Sequence, residues 1–275
     1  LTDECPKPLV PIGDRPLLAH IAENLQSRGY DAIAVNTHHL PERFADFSVA
    51  GVTLHWSYEP QILGSAGGVR QALPFLTPPL VVCNGDIWGL GVSPDLVGGL
   101  ANAPICLQVA PTTGPGTVGL DDRGRVVRLR GERFGQEHRG ADYVGVMAIG
   151  PSASRRLPQR GCLIGDLCLP LLREGAALSV AWCEDTWLDV GTLHGYLEAN
   201  QRWLDGRGLA WYSGPDVQLA VGVEVEHSVI GAGARLRGAG QVVGCVVWPG
   251  ADVEAPLRNA VVTSAGRVVS PGPTP

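Results

Sequence analysis

The chain has 275 residues, 45% hydrophobic and 17% charged, which supplies a sizeable core and excludes wholesale disorder. A net charge of −6 argues against a bulk electrostatic grip on nucleic acid or an acidic membrane, while leaving room for one local phosphate pocket. No apolar run reaches the roughly 18–20 residues of a spanning helix, and the seven scattered cysteines form no CxxC. They read as reduced thiols of a cytoplasmic protein, with neither a disulfide framework nor a zinc site.

Residues 1–10 lack the basic-then-apolar layout of a signal peptide. They include Lys7, the sole lysine beside 20 arginines. An ammonium is a compact, rotatable point charge suited to a phosphate, whereas guanidinium is a planar fork. Survival of one lysine by chance is the plain alternative. A helix is expected from Pro16, with Leu17, Leu18, Ile21, Ala22 and Leu25 on one face and Gly29 closing it. Apolar, β-rich runs follow at Ala32–Val35, Val52–His55, Leu80–Cys83, Ile105–Val109, Tyr143–Ile149 and Leu178–Trp182. Helical stretches are expected at 40–47, 67–76, 165–172 and 193–204. This alternation predicts an α/β fold with a mixed, mostly parallel sheet flanked by helices. Residues 117–130 read instead as a hairpin turning on Asp122–Gly124.

After about Leu209 the pattern changes to short valine-rich runs separated by Gly, Ala and polar residues. Val229-Ile-Gly-Ala-Gly-Ala and Val247-Trp-Pro-Gly-Ala-Asp carry a roughly six-residue rhythm, the mark of a parallel β-helix whose rungs share one core. A β-meander is the ordinary alternative. The reading divides the chain into a catalytic part, 1–209, a short hexapeptide-repeat coil, 210–269, and a disordered tail, 270–275.

Three segments carry candidate chemistry. Asn84-Gly85-Asp86 follows an apolar strand, where open α/β sheets place ligands; the carboxylate could hold Mg²⁺ and Gly85 permits close approach. A plain Asx turn is the alternative. Asp189, in Trp187-Leu-Asp-Val-Gly-Thr192, supplies a second carboxylate, or else only positions the turn into the next helix. Leu63-Gly-Ser-Ala-Gly-Gly-Val69 is a glycine-rich turn whose backbone N–H groups could meet a phosphate or a base edge.

Taken in order with Pro6-Lys7-Pro8-Leu-Val-Pro11-Ile-Gly13 and Tyr143-Val-Gly145, these segments resemble the sugar-1-phosphate nucleotidyltransferases over about residues 1–205. Mannose-1-phosphate guanylyltransferase-like proteins are the nearest resemblance, and N-acetylmuramate-1-phosphate uridylyltransferases are also similar. The resemblance implies a Rossmann-like fold with a left-handed C-terminal β-helix. It also implies nucleotidyl transfer from an NTP to a sugar 1-phosphate, giving an NDP-sugar and pyrophosphate, with GTP and mannose 1-phosphate foremost. It assigns Lys7 and Asp86 to catalysis, Asp86 and Asp189 to Mg²⁺, and Gly64, Gly67, Gly68, Asn84 and Gly85 to the nucleotide. Glu132, Arg133, Tyr143 and Gly145 fall to the sugar phosphate, Arg133 standing where the family has a lysine. The partners implied are an NTP and a sugar 1-phosphate, with no nucleic acid or membrane and with self-association through the coil.

The family's leading strand and glycine-rich triphosphate loop have no counterpart before Leu1, and about fifteen further residues, a strand plus a loop, are expected upstream. Two other classes bear on the same residues. A non-catalytic sugar-nucleotide-binding subunit would account for the missing loop, but it has no need of two metal carboxylates. An acyltransferase would use the coil, which offers only His227 as a base.

Overall fold

A computed structural model describes residues 2–183 and 185–271. The chain divides into two compact units. One comprises residues 22–84 and 90–186 (the sheet unit); the other comprises residues 1–21, 85–89 and 187–275 (the coil unit).

The sheet unit is organised on the eleven-residue strand Arg139–Ile149. Leu80–Cys83, Ile105–Ala110 and Val118–Leu120 all pair with it antiparallel. Val126–Leu129 and Glu132–Arg133 extend the sheet by further antiparallel pairing beyond Val118–Leu120. Ser179–Trp182 closes the other side, parallel to Ile105–Ala110. The expectation of a mostly parallel sheet is therefore corrected: this seven-stranded sheet is mixed and mainly antiparallel. An apolar run records that a strand is buried on both faces, not the direction in which its neighbour runs. Ile105–Ala110 is such a strand, buried at all six positions. Its one polar side chain, Gln108, is satisfied by donating to the Gly91 carbonyl (2.7 Å) and accepting from the Ser93 N–H (2.8 Å). Leu107, Val109, Met147 and Ile149 share a core with Leu157, Leu163, Leu167 and Leu171. Each such side chain contributes about 1.5–3 kcal/mol on burial.

A separate parallel pair, Ala32–Thr37 with Thr53–Tyr58, carries the helix Gly64–Ala72 after it. The expected hairpin forms between Val118–Leu120 and Val126–Leu129. Asp121 fastens its turn by accepting from the N–H groups of Arg123 and Arg125. Two local expectations fail. Pro16 ends a two-residue strand instead of opening the helix, which runs Leu17–Ser27. The stretch 40–47 forms only a short 3-10 turn, Pro41–Phe44, entered from Leu40 in the left-handed region.

In the coil unit the tail of the chain winds through stacked parallel strands. Tyr212, Val229 and Val246 stand in register 17 residues apart, and Val261 follows 15 residues on. Arg235–Val243 pairs in parallel with Gln218–Leu219, Val223–Glu226 and Asp252–Arg258. The corners recur with the coil: Asp216, Gly233 and Gly250 repeat one positive-φ position, and His227, Gly244 and Asn259 repeat another. These residue types adopt that backbone at least cost. His227, the one histidine available for acyl transfer, is thus a corner residue. Ile230, Leu236, Val242, Val247, Val253 and Val262 fill the interior. In the reading of residues 270–275 as a disordered tail, positions 272–275 lie outside the described residues.

Candidate functional site

In the coil unit, Lys7 opens a 3-10 turn, Lys7–Leu9, preceded by Pro6. Its Nζ stands 3.7 Å from Asp86 Oδ2. Asp86 immediately precedes the short strand Ile87–Trp88, which pairs antiparallel with Leu188–Asp189. The Val190 N–H donates to the Asp86 carbonyl (3.0 Å), so the two short strands hold the two acidic residues as neighbours. Asp189 is itself set by an Asx-type turn, its Oδ1 accepting from the Gly191 N–H at 2.7 Å. Thr192 then caps the helix Leu193–Asp205 by accepting from the Gly195 N–H.

Two glycines keep this corner compact. A Cβ on Gly195 would lie 2.1 Å from the Asp189 carbonyl oxygen; one on Gly191 would lie 2.7 Å from Asp189 Oδ1 and 3.4 Å from Lys7 Nζ. Pro8 passes close to Gly85, with a Cβ there meeting the proline ring at 3.4 Å. Lys7, Gly85, Asp86 and Asp189, singled out on separate stretches of sequence, are brought together. Among the described residues no group of three or more His, Cys, Asp or Glu side chains gathers to hold a metal ion. Two carboxylates are what magnesium takes when substrate phosphates and water supply the rest of its shell.

In the sheet unit, Asn84 and Gly145 are neighbours. The Asn84 N–H donates to the Gly145 carbonyl at 2.9 Å, and a Cβ on Gly145 would lie 2.8 Å from Asn84 Nδ2. Gly145 has φ +81° and sits where the long strand bulges between Tyr143 and Met147. The bulge ends pairing with Ile105–Ala110 for a few residues. The Tyr143 N–H is held by Thr117 Oγ1 (2.7 Å), and burial pushes its phenol well above the ordinary tyrosine range.

The glycine-rich turn has a packing reason beside any ligand role. The Gly161 carbonyl accepts from the Ala66 N–H (2.8 Å), and the Gly161 N–H donates to the Leu63 carbonyl (2.8 Å). A Cβ on Gly64, which has φ +76°, would lie 2.4 Å from the Gly161 oxygen; one on Gly67 would lie 2.6 Å from the Gln159 oxygen. Ser65 Oγ accepts from the Leu163 N–H (3.0 Å). Part of the donor set expected to face a ligand is therefore spent inside the protein.

Glu59 went unnoticed in the sequence. It is buried, with Oε2 accepting from the Leu63 N–H (2.9 Å) and Oε1 from Asn36 Nδ2 (3.1 Å). A Cβ on Gly68 would lie 2.6 Å from that Oε1, so Glu59 is the post on which the turn is hung. Its only signal was an acidic residue directly after a strand and four residues before the turn. The His38 ring meets the Glu59 carbonyl through Nδ1 (2.7 Å).

Glu132 and Arg133 are engaged elsewhere. Glu132 receives both Nε (3.0 Å) and Nη2 (2.5 Å) of Arg173. Arg133 is exposed and stands 3.9 Å from Glu137, whose carboxylate is already held by Arg128 Nε at 2.8 Å.

Residues 2–114 match the family described as the MobA-like NTP transferase domain. The chain is 26% identical to the UTP–glucose-1-phosphate uridylyltransferase of Synechocystis sp., over 98% of this chain and 80% of that protein. It is 24% identical to the mannose-1-phosphate guanylyltransferase of Mycobacterium tuberculosis, over 93% of this chain and 77% of that protein. Among solved structures, HddC from Yersinia pseudotuberculosis, complexed with GMP-PN, superposes with a TM-score of 0.60 at 16% identity. That match covers 72% of this chain and 90% of HddC, and it shows that the two chains share an α/β fold. No helix among the described residues is long and apolar enough to cross a membrane.

Proposed function

We propose, from the premise that this chain is a homologue of the sugar-1-phosphate nucleotidyltransferases with a MobA-like NTP transferase domain, that it joins an NTP to a sugar 1-phosphate. The products are an NDP-sugar and pyrophosphate. The convergence of Lys7, Asp86 and Asp189 carries this reading.

The reaction brings two anions together. A sugar-phosphate oxygen attacks the α-phosphorus of the NTP in line; the bond to the β-phosphate bridging oxygen breaks, and pyrophosphate leaves with that electron pair. The protein has little covalent work to do, so its contribution is alignment and charge. Lys7 sets a positive charge on a short, proline-flanked turn, where it neutralises phosphate oxygens around the reacting centre. Asp86 and Asp189 are the residues that would hold magnesium, which when bound offsets the charge of the triphosphate. Asp189 is oriented by Gly191, so its carboxylate needs little reordering on binding.

In the sheet unit, the glycine-rich turn Gly64, Gly67 and Gly68 with Asn84 is assigned to the nucleotide, and Tyr143 with Gly145 to the sugar; Gly85, in the coil unit, is assigned to the nucleotide as well. Glu132 and Arg133 take part on this reading only if Glu132 exchanges its Arg173 partner for a sugar hydroxyl. GTP with mannose 1-phosphate is the foremost pair, supported by the mycobacterial relative along 93% of the chain. The same reading takes the coil as a left-handed hexapeptide β-helix and the protein as cytoplasmic.

Pyrophosphate release with Mg²⁺, measured across four NTPs and mannose, glucose and N-acetylmuramate 1-phosphates, tests this. Release with one pair, abolished in Asp86→Ala, is the expected result. Silence across the panel with tight NDP-sugar binding would replace the enzyme with a binding subunit.

A further inference from the structure

The coil and the Lys7 turn belong to one unit, and the contacts between them fall on both sides of the lysine. On the upstream side, Thr263 donates its hydroxyl to Glu4 Oε1 (3.1 Å), and Arg267 Nη1 pairs with Asp3 Oδ2 (3.1 Å). Thr263 is fully buried, and its N–H is fixed by the Arg267 carbonyl (3.0 Å), so both grips come from one turn at the end of the coil.

On the downstream side the connection is a relay. Trp248, on the third stacked coil, donates its indole N–H to the Tyr196 hydroxyl (2.9 Å). That hydroxyl donates in turn to the Pro11 carbonyl (2.6 Å). Tyr196 is fully buried, and its phenol is pushed far up by that burial, so its proton stays on the oxygen and the relay keeps one direction. Asn200, one helical turn along, accepts from the Gly13 N–H (2.8 Å) and donates to the Tyr196 carbonyl (3.0 Å). Val10 and Ile12 pack in one core with Val229, Val246, Trp248 and Val261 of the coil.

We propose that the C-terminal coil is the brace that fixes Lys7, with Tyr196 a positioning residue that acts through Pro11. The proposal rests on reading Lys7 as the phosphate-facing cation, but the brace itself is physical and can be observed without turnover. The coil is then part of the reactive corner. Proline-bounded segments six residues long have little secondary structure to hold them, and the turn Lys7–Leu9 buries none of its own residues. Its position is set from outside, by residues more than 180 positions away in sequence.

The sole lysine makes the test direct. Protein carrying isotope-labelled lysine gives one side-chain signal, that of Lys7. Tyr196→Phe removes the hydroxyl that serves both Trp248 and Pro11. It should shift and broaden the Lys7 signal and lower kcat between about tenfold and a hundredfold, the scale of a small misplacement. KM for the NTP should change much less. Trp248→Phe should add little in the Tyr196→Phe background, because the two act through one relay. Arg267→Ala, an exposed and milder change, should move the Lys7 signal in the same direction. Arg237→Ala, which breaks an exposed coil pair with Asp252, should leave it in place. An unchanged Lys7 signal in folded Tyr196→Phe and Arg267→Ala proteins would overturn the brace. Absence of turnover in the unmodified chain would count against the proposed reaction alone, since the lysine signal still reports the brace.

Discussion

Lys7 Nζ stands 3.7 Å from Asp86 Oδ2, with the two side chains 47% and 32% exposed. An ion pair this open adds roughly 0–1 kcal/mol to stability. Both groups face solvent from a corner built of closely packed glycines, where a phosphate and a cation can reach them.

Lys7→Ala is accordingly expected to leave the melting transition within about 0.5 kcal/mol of the parent, as for an exposed surface change. It should lower kcat on the order of 10²–10³-fold, the cost of removing one preorganised charge donor. Lys7→Arg keeps the charge but not the compact ammonium, and its kcat should fall between the two. Thermal melts and steady-state pyrophosphate release on the three proteins decide this.

Gly145→Ala should destabilise the fold. Its left-handed backbone costs a residue with a side chain about 1–2 kcal/mol, and the new methyl would press on Asn84 Nδ2 at 2.8 Å. Gly64→Ala meets the same backbone cost together with a main-chain carbonyl at 2.4 Å that has no flexible side chain to yield. Urea unfolding should rank Gly64→Ala as the more damaging of the two.

Arg128 beside Glu137 holds that carboxyl below the usual glutamate range, against the opposing effect of burial. The folded state therefore binds this proton less readily than the unfolded chain. The resulting stability is present in full above the unfolded value of about 4.3 and is lost as pH falls through the folded one. Glu137→Gln should be less stable than the parent at pH 7. The gap should narrow as pH drops below about 4, a trend that urea melts at stepped pH will show.

Thiol reactivity should be sharply uneven. Burial acts to raise the Cys162 thiol, but the N–H groups of Gly165 and Ile164, the Ser65 hydroxyl and the Arg130 charge together lower it. Cys83 and Cys168 are pushed up by burial to about 12. Peptide mapping after brief alkylation at pH 7.5 should find Cys162 modified well before Cys83 or Cys168. Bound NTP should slow that modification, because Ser65 lies within the glycine-rich turn.

The Lys7 and Asp86 corner was traceable because its residues stand out in the sequence: one lysine beside 20 arginines, and an aspartate three residues beyond an apolar strand. The coil was legible through its spacing, since each short valine run needs its successor. Direction in the sheet was not, because Ile105–Ala110 reads the same beside a parallel or an antiparallel neighbour. The packing role of Gly64 and Gly67 was hidden for a different reason. Their partners, Gly161 and Gln159, lie over 90 residues away, and a glycine pressed by a distant carbonyl looks identical in sequence to one awaiting a phosphate. Tyr196 was hidden too, since a tyrosine on the buried face of a helix reads as core until its hydroxyl is seen on Pro11.

Attack on the α-phosphorus leaves that atom in the sugar nucleotide, so its fate is the measurement to make. GTP labelled at the α-phosphate is incubated with mannose 1-phosphate, Mg²⁺ and the protein, and the products are separated. Label is expected in the sugar nucleotide, with the pyrophosphate unlabelled. Label recovered only in GDP or GMP, with no sugar nucleotide formed from this or any other NTP and sugar 1-phosphate, would contradict it.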